Sequence, residues 1–287
     1  MVDSMTTSDT AAKVAALQSL LLELDSVLIS FSGGVDSSLL LKIARDTLGD
    51  RAVAATGLSA SYASEEMDEA KAIAAEIGAE HLMVSTMELD DPRYADNSHQ
   101  RCFFCKTELY SKLNEVARSR GIAWVVDGAN ADDVGDFRPG MRAAKQLSVR
   151  SPLLEVGLNK REIRELSARY GLRTWDKPAG ACLSSRFAYG DPITVEKLRK
   201  VGTAERGVRA LGFKGFRIRH HEDLARLELP ADQLARAIEL SSDIVDAVKA
   251  AGYQYVTLDL EGYRTGRMNE VLHARLQPGG LRGSGAL

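Results

Sequence analysis

The chain has 287 residues, 27% of them charged, and a formal net charge of −3 at pH 7. That length admits two domains and a sizeable core, and the composition is ordinary for a soluble globular protein. The slightly acidic balance gives no general reason to expect a nucleic-acid partner, although a local basic face can hide in the sum. No apolar run approaches the ~20 residues that a helix needs to cross a bilayer.

The head, Met1–Thr10, is polar and lacks the charged-then-apolar layout of a signal peptide, so the expected compartment is the cytoplasm. Residues 11–24 carry a helical pattern in Val14, Leu17, Leu20, Leu21 and Leu24. Val27-Leu28-Ile29 reads as a short buried parallel strand, and Leu39, Leu40, Ile43, Ala44 and Leu48 step along one face of a helix. Between them lies Ser30-Phe31-Ser32-Gly33-Gly34-Val35-Asp36-Ser37-Ser38. Paired glycines let the backbone turn sharply and come close to a ligand, and the positive end of the following helix favours an anion. Serine hydroxyls can donate to phosphate oxygens, and Asp36 can hold a divalent cation through oxygen. This is not a Walker A loop, because no Gly-Lys-Ser/Thr follows the glycines. A glycine-rich turn that binds nothing is the alternative, and the serines and Asp36 at these spacings weigh against it.

Ala52–Thr56 reads as a second strand, Met67 to Ile77 as a helix ending at Gly78, and His81–Val84 as a third strand. Strand and helix alternate as in βαβ units, which predicts a parallel, doubly wound sheet. The segment 87–101 is polar and breaks the periodicity; Leu109, Leu113 and Val116 then mark a helix, and Trp124-Val125-Val126 a fourth strand. That strand runs into Asp127-Gly128-Ala129-Asn130-Ala131-Asp132-Asp133. Ligands of open α/β sheets sit beyond the carboxyl ends of the strands, so this acidic loop and the glycine turn are expected to share one crevice. The alternative is a solvated turn, since Asp and Asn favour turns for local reasons. Asn159-Lys160-Arg161-Glu162 predicts an N-cap with a reciprocal glutamate, opening a helix through Ile163, Leu166 and Tyr170 that Gly171 stops. Residues 178–186 show no period and read as a loop, with the domain boundary near Asp191-Pro192.

Downstream, Thr194 can cap a helix bearing Val195, Leu198 and Val201. Phe216-Arg217-Ile218-Arg219 alternates, which puts both arginines on one face of a strand. They are a phosphate clamp of guanidinium forks or a solvated strand face, and the sequence leaves those two readings even. His220 and His221, at the strand end, read as ligands or acids or, the commoner case and the one expected here, as exposed and idle side chains. Leu224–Leu229 is a second strand, Leu234 to Val248 a helix, and Tyr255–Leu260 a third strand. The fold expected is therefore α/β, a doubly wound parallel-sheet domain over 11–190 followed by a smaller α+β domain over 191–276. Residues 1–10 and the Gly-rich tail 277–287 are expected to be disordered.

Only Cys102, Cys105 and Cys182 occur, an odd and sparse set that argues against a disulfide framework and towards metal or catalytic use. Cys102-Phe103-Phe104-Cys105 at a helix start puts two thiols within reach of one ion, and the helix N-terminus is expected to lower their pKa values. Cys182 lies in the loop after the last strand of the first domain, placed to face the same crevice.

The pattern Ser-x-Ser-Gly-Gly-Val-Asp-Ser resembles the PP-loop of the ATP pyrophosphatase superfamily. Members cleave ATP between the α- and β-phosphates, leave AMP on a substrate, and carry a similar Gly-x-Asn-x-x-Asp stretch after the fourth strand. Two further stretches, Pro178-x-x-x-Cys182-Leu183-x-Ser185-Arg186 and Phe216-Arg217-x-Arg219-His220, extend the likeness over roughly residues 12 to 275. The whole resembles the LarE family, sulfur-insertion enzymes of nickel-pincer nucleotide cofactor synthesis. The resemblance implies that Ser32, Gly33, Gly34, Asp36 and Ser37 hold ATP and Mg²⁺. It also implies that Ser185, Arg186, Arg217 and Arg219 hold the phosphate of pyridinium-3,5-biscarboxylic acid mononucleotide, and that Cys182 handles sulfur. The family divides: members with a single loop cysteine give up its sulfur and act once, whereas three-cysteine members hold a [4Fe–4S] cluster with one open iron. Cys102, Cys105 and Cys182 make this chain similar to the second kind. Zinc on the same thiolates with His99 or water, and thiols without metal, stay open as alternatives. The partner expected is a small nucleotide-like molecule, with a homo-oligomeric assembly and neither membrane nor nucleic acid. A cluster-dependent tRNA thiolase and a non-catalytic nucleotide sensor are the rival functions.

Overall fold

The computed structural model describes residues 8–134, 139–178 and 180–264. The described residues form two compact units, one within 8–183 with 192–195, the other of 184–191 with 196–264. The first comprises α1 (Ser8–Leu24), β1 (Val27–Ser30), α2 (Val35–Leu48), β2 (Ala52–Leu58), α3 (Ser64–Ile77), β3 (Glu80–Ser85), α4 (Pro92–Ala95), α5 (Arg101–Arg120), β4 (Trp124–Val126), α6 (Pro139–Gln146), α7 (Pro152–Glu155) and α8 (Lys160–Arg169). Helix α1 already runs at Ser8, so the head expected to be disordered is helical over residues 8–10; residues 1–7 and the 277–287 tail lie outside the described residues.

The four strands are parallel in the order β3-β2-β1-β4, so the chain winds outward in both directions from β1. Successive residues of a strand face opposite sides, and both sides here are dry. Val27 and Ile29 join Leu17, Leu21, Leu39, Ile43 and Ile163 on one side, while Leu28, Val53 and Val125 join Leu109, Leu113 and Val149 on the other. That two-sided burial is why the strands read as continuous apolar runs. The Asn159–Glu162 cap forms as expected: Glu162 N donates to Asn159 Oδ1 and Asn159 N to Glu162 Oε2, both at 2.9 Å. Gly171, at φ 68°, ends the segment in the left-handed region. Among the described residues no helix is long and apolar enough to cross a membrane.

The second unit contains α9 (Val195–Ala210), β5 (Arg217–His221), β6 (Leu224–Glu228), α10 (Leu234–Glu239), α11 (Ser241–Ala250) and β7 (Tyr255–Leu258). Its sheet runs β5-β6-β7, the first pair antiparallel and the second parallel. The single helix expected over Leu234–Val248 is two: Leu240, at ψ 22°, leaves helical geometry just before Ser241-Ser242, residue types that compete with the helical backbone for hydrogen bonds.

Candidate functional site

Strand β1 ends at Ser30 and α2 starts at Val35, so the glycine pair occupies the turn between them. Gly33 has φ +65°, and a Cβ there would come within 3.0 Å of Ala70 Cα, so both conformation and space require glycine. Gly34 caps α2 without any side-chain cap, which leaves the first N–H groups of that helix to an incoming anion. Ser32 Oγ lies 3.2 Å from Ser37 Oγ, and Ser37 Oγ donates to Gly34 O at 3.3 Å. Gly128 brings the acidic loop onto this helix start: a Cβ on it would sit 3.1 Å from Ser37 N.

Asp36 accepts from Lys160 Nζ at 2.6 Å and from Asn130 Nδ2 at 3.3 Å. Lys177 Nζ donates to Gly33 O at 3.0 Å and to Glu69 Oε2 at 2.7 Å. Two lysines thus bring positive charge to a phosphate turn that has no lysine of its own. The sequence reading assigned neither. One signal was available for Lys160: a lysine in the first turn of a helix runs against the helix dipole and needs a local carboxylate to justify it. The acidic loop is not a solvated turn, since Asp127, Asn130 and Asp133 are all buried. Asp127 accepts from Tyr110 Oη and Ser151 Oγ, each at 2.7 Å, and shapes the end of β4. Asp133 accepts from Asn130 N at 3.0 Å, which leaves the Asn130 amide directed at Asp36. The half-buried Asp36 carboxylate is the donor type Mg²⁺ takes, since that ion accepts one or two protein carboxylates and completes its shell with phosphate and water.

Cys102 and Cys105 lie in the first turns of α5. Cys102 is exposed as a residue, whereas Cys105 and Cys182 are half-buried. The helix N-terminus does not lower these thiols as expected. Burial pushes the Cys105 thiol well above its ordinary range, with the approach of Cys182 adding to the rise. The Cys102 thiol moves up as well, burial first and Cys182 second, with Arg101 opposing the rise. The Tyr62 phenol is likewise raised by burial first and then by Cys105 and Cys182, so this ring lies within electrostatic reach of both thiols. Leu183 N, the residue after Cys182, donates to Ser61 O at 2.8 Å. The Ser61 hydroxyl in turn donates to the buried Glu88 carboxylate at 2.8 Å, so a fixed network anchors the Cys182 loop.

The three sulfurs lie within electrostatic reach of one another without converging on one ion. Among the described residues they do not form a group with mutual ligand-atom separations within 4.8 Å, with or without His99. Zinc at ~2.3 Å from each thiolate would require sulfurs about 3.8 Å apart. Three thiol donors are the ligand type that iron–sulfur clusters take.

In the second unit the arginines divide. Arg186 is buried and holds Glu205 with two bonds of 2.8 Å, from Nε and Nη2. Arg219 is buried too: its Nε donates to Glu228 at 2.9 Å and its Nη1 to Ser185 O at 2.7 Å. The face that carries Arg219 is therefore not the solvated strand face of the alternative reading, nor is its guanidinium an uncommitted fork. Arg217 is half-buried, donates to Phe216 O at 2.7 Å and lies 5.0 Å from the centre of the Tyr263 ring. Burial first, then Arg186, pulls its pKa down, with Arg219 acting in the same sense. His220 is buried, contrary to expectation, whereas His221 is exposed.

Residues 15–132 match the family described as NAD synthase, which places the first unit among the PP-loop ATP-using domains. Over 263 residues the chain is 38% identical to the pyridinium-3,5-bisthiocarboxylic acid mononucleotide synthase of Lactiplantibacillus plantarum, covering 91% of this chain and 95% of that one. The chain belongs to the LarE family. An uncharacterized protein of Synechocystis sp. is 47% identical over 91% of this chain and 98% of its own, and one of Methanocaldococcus jannaschii is 28% identical over 83% and 91%.

For this LarE-family chain the division among the arginines predicts two different phenotypes. Arg186→Ala strands the Glu205 carboxylate, 3% exposed, and is expected to destabilise the protein by about 3–5 kcal/mol. Arg217→Ala removes a ring contact worth about 1 kcal/mol or less. Thermal melts of the two variants check this, and an Arg186→Ala protein that melts like wild type would show that the ion pair is not structural.

Proposed function

We propose that this protein is an ATP-dependent sulfurtransferase that converts carboxylates of pyridinium-3,5-biscarboxylic acid mononucleotide to thiocarboxylates. The observation that carries the reading is the near full-length match to a pyridinium-3,5-bisthiocarboxylic acid mononucleotide synthase, in a chain whose phosphate turn and three cysteines share one unit. The turn amides, Ser32 and Ser37 take the ATP phosphates, Asp36 holds Mg²⁺, and Lys160 and Lys177 balance the remaining charge. A substrate carboxylate oxygen attacks the α-phosphorus, the bond to the β-phosphate oxygen breaks, and pyrophosphate leaves with its electron pair. Sulfide then adds to the carbonyl carbon of the acyl-adenylate, and AMP departs with the carbon–oxygen pair. Activation is needed because a carboxylate oxygen is a poor leaving group and AMP a good one. The protein's share is positioning and charge neutralisation.

Cys102, Cys105 and Cys182 are the residues that would hold a [4Fe–4S] cluster, whose fourth iron, without a protein thiolate, supplies a place for an exchangeable sulfide. Tyr62 and the Glu88–Ser61 anchor keep the Cys182 loop in place beside Cys105. In the second unit Arg217 is the residue we assign to the substrate phosphate, with Ser185, Arg186 and Arg219 shaping the strand and loop around it. On that assignment Arg217→Ala weakens substrate binding by about 1.5–3 kcal/mol and leaves ATP affinity unchanged. Equal loss of both would place Arg217 in the wrong pocket.

The decisive assay is pyrophosphate release. Release that depends on the pyridinium mononucleotide supports the proposal. Release that depends on tRNA makes the protein a thiolase, and no release with either makes it a nucleotide sensor.

A further inference from the structure

His220 has a place in the second unit that none of the sulfur chemistry uses. Its side chain is 3% exposed, and Nδ1 lies 3.0 Å from Tyr253 Oη. The other ring nitrogen, Nε2, is buried with no hydrogen-bond partner. Buried polar atoms of native proteins are nearly always satisfied, so an orphaned one calls for an explanation. His220, Asp191 and Glu222 each bring one ligand atom to within 4.8 Å of the others. Glu222 stands at the β5–β6 turn and is exposed, and Asp191 is half-buried, so the group opens to solvent on one side and is backed by the His220 ring on the other.

A cation already sits there. Lys197 Nζ lies 2.7 Å from Asp191 Oδ1 and 3.2 Å from Glu222 Oε1. Lys200 is turned away from the carboxylates: its Nζ donates to Glu222 O at 3.2 Å and stands 4.3 Å from the centre of the Tyr253 ring. The Lys197 ammonium satisfies two carboxylates but does nothing for Nε2. A divalent metal ion would serve all three.

We propose that Asp191, His220 and Glu222 form a divalent transition-metal site that the Lys197 ammonium plugs until a metal displaces it. One imidazole and two carboxylates suit Mn²⁺, Fe²⁺, Co²⁺ or Zn²⁺ better than Mg²⁺ or Ca²⁺, which favour all-oxygen shells. Two carboxylate charges neutralise the ion, and Lys197, still protonated, swings to solvent on its flexible stem. Tyr253 acts behind the site, holding the Nδ1 side of the ring so that Nε2 faces the metal. The site shares no residue with the phosphate turn or the cysteines, so it stands or falls apart from the sulfurtransferase reading.

The test is Mn²⁺ binding to the full chain without ATP, followed by the loss of the free-ion paramagnetic resonance signal. Mn²⁺ is a poor partner for thiolates, which keeps the cysteines out of the measurement. Wild-type protein is expected to take up one equivalent. Glu222→Gln, at an exposed position that leaves the fold untouched, and Asp191→Asn should each weaken uptake at least about tenfold. Tyr253→Phe should weaken it about tenfold through the ring orientation, and Lys197→Met should tighten it severalfold by removing the competing charge. Uptake seen only in Lys197→Met, and abolished there by Glu222→Gln, also supports the site. Equal uptake by wild type and Glu222→Gln, or none by either wild type or Lys197→Met, overturns it.

Discussion

Asp36→Asn is expected to lower pyrophosphate release by about 10²–10³-fold while the protein stays folded. The substitution keeps the size of the side chain and an oxygen that can accept from Lys160, so the turn between β1 and α2 has no reason to move. What it removes is the carboxylate charge that would hold Mg²⁺. Asp36 and Lys160 are 24% and 32% exposed, so the lost ion pair costs about 1 kcal/mol or less. The catalytic loss is larger because charge placed where the transition state develops it acts in a site that must also hold the ATP phosphates. Circular dichroism and a thermal melt check the fold, and a coupled pyrophosphate assay checks the rate. A variant with normal release would remove Asp36 from the metal site, and a variant that fails to fold would make it structural.

The phosphate turn was legible because everything that defines it is local: two glycines, four serines and one aspartate between an apolar strand and an amphipathic helix. Its charge partners were not. Lys160 reaches Asp36 across 124 residues of sequence and Lys177 reaches Gly33 across 144, and no spacing rule joins such positions. The sheet was legible for a similar reason. β1, β2 and β4 are short apolar runs buried on both faces, and the reading found all four strands of the first unit, with bounds that differ by one or two residues for β1, β2 and β3. Helices α6 and α7 gave no usable period, being only eight and four residues long. The arginines show the limit most clearly. The alternation of Arg217 and Arg219 on β5 is plain in the sequence. That Arg219 faces a fully buried Glu228, however, depends on the β5–β6 register, and that Arg186 faces Glu205 depends on how α9 packs. His220 was misjudged on the same ground: a strand end looks exposed until Phe187, 5.1 Å from its ring, and Tyr253 are seen to cover it.

The largest effect expected of any substitution falls on the cysteines. Replacing Cys102, Cys105 or Cys182 singly by Ala should abolish repeated turnover, because three thiolates around one group leave no spare ligand. Each change removes one small side chain, so the fold should survive. Cys102 is exposed, and the Cys182 loop keeps its Leu183–Ser61 and Ser61–Glu88 bonds without the thiol. The competing route needs only Cys182, which would surrender its sulfur to the acyl-adenylate and leave dehydroalanine behind. The two routes differ in what the protein weighs afterwards. After anaerobic reconstitution with iron and sulfide, wild-type protein should absorb in the visible, and each of the three variants should not. Its intact mass after several turnovers should equal its mass before. A protein lighter by one H₂S after a single turnover, with Cys102→Ala and Cys105→Ala as active as wild type, would establish the sacrificial route and leave α5's two thiols without a part in sulfur transfer. Visible absorbance that survives in either α5 variant would point to a cluster held elsewhere. Zinc in place of iron would give a colourless protein whose metal content falls with the same three substitutions, and it would leave the site without an exchangeable sulfide to deliver.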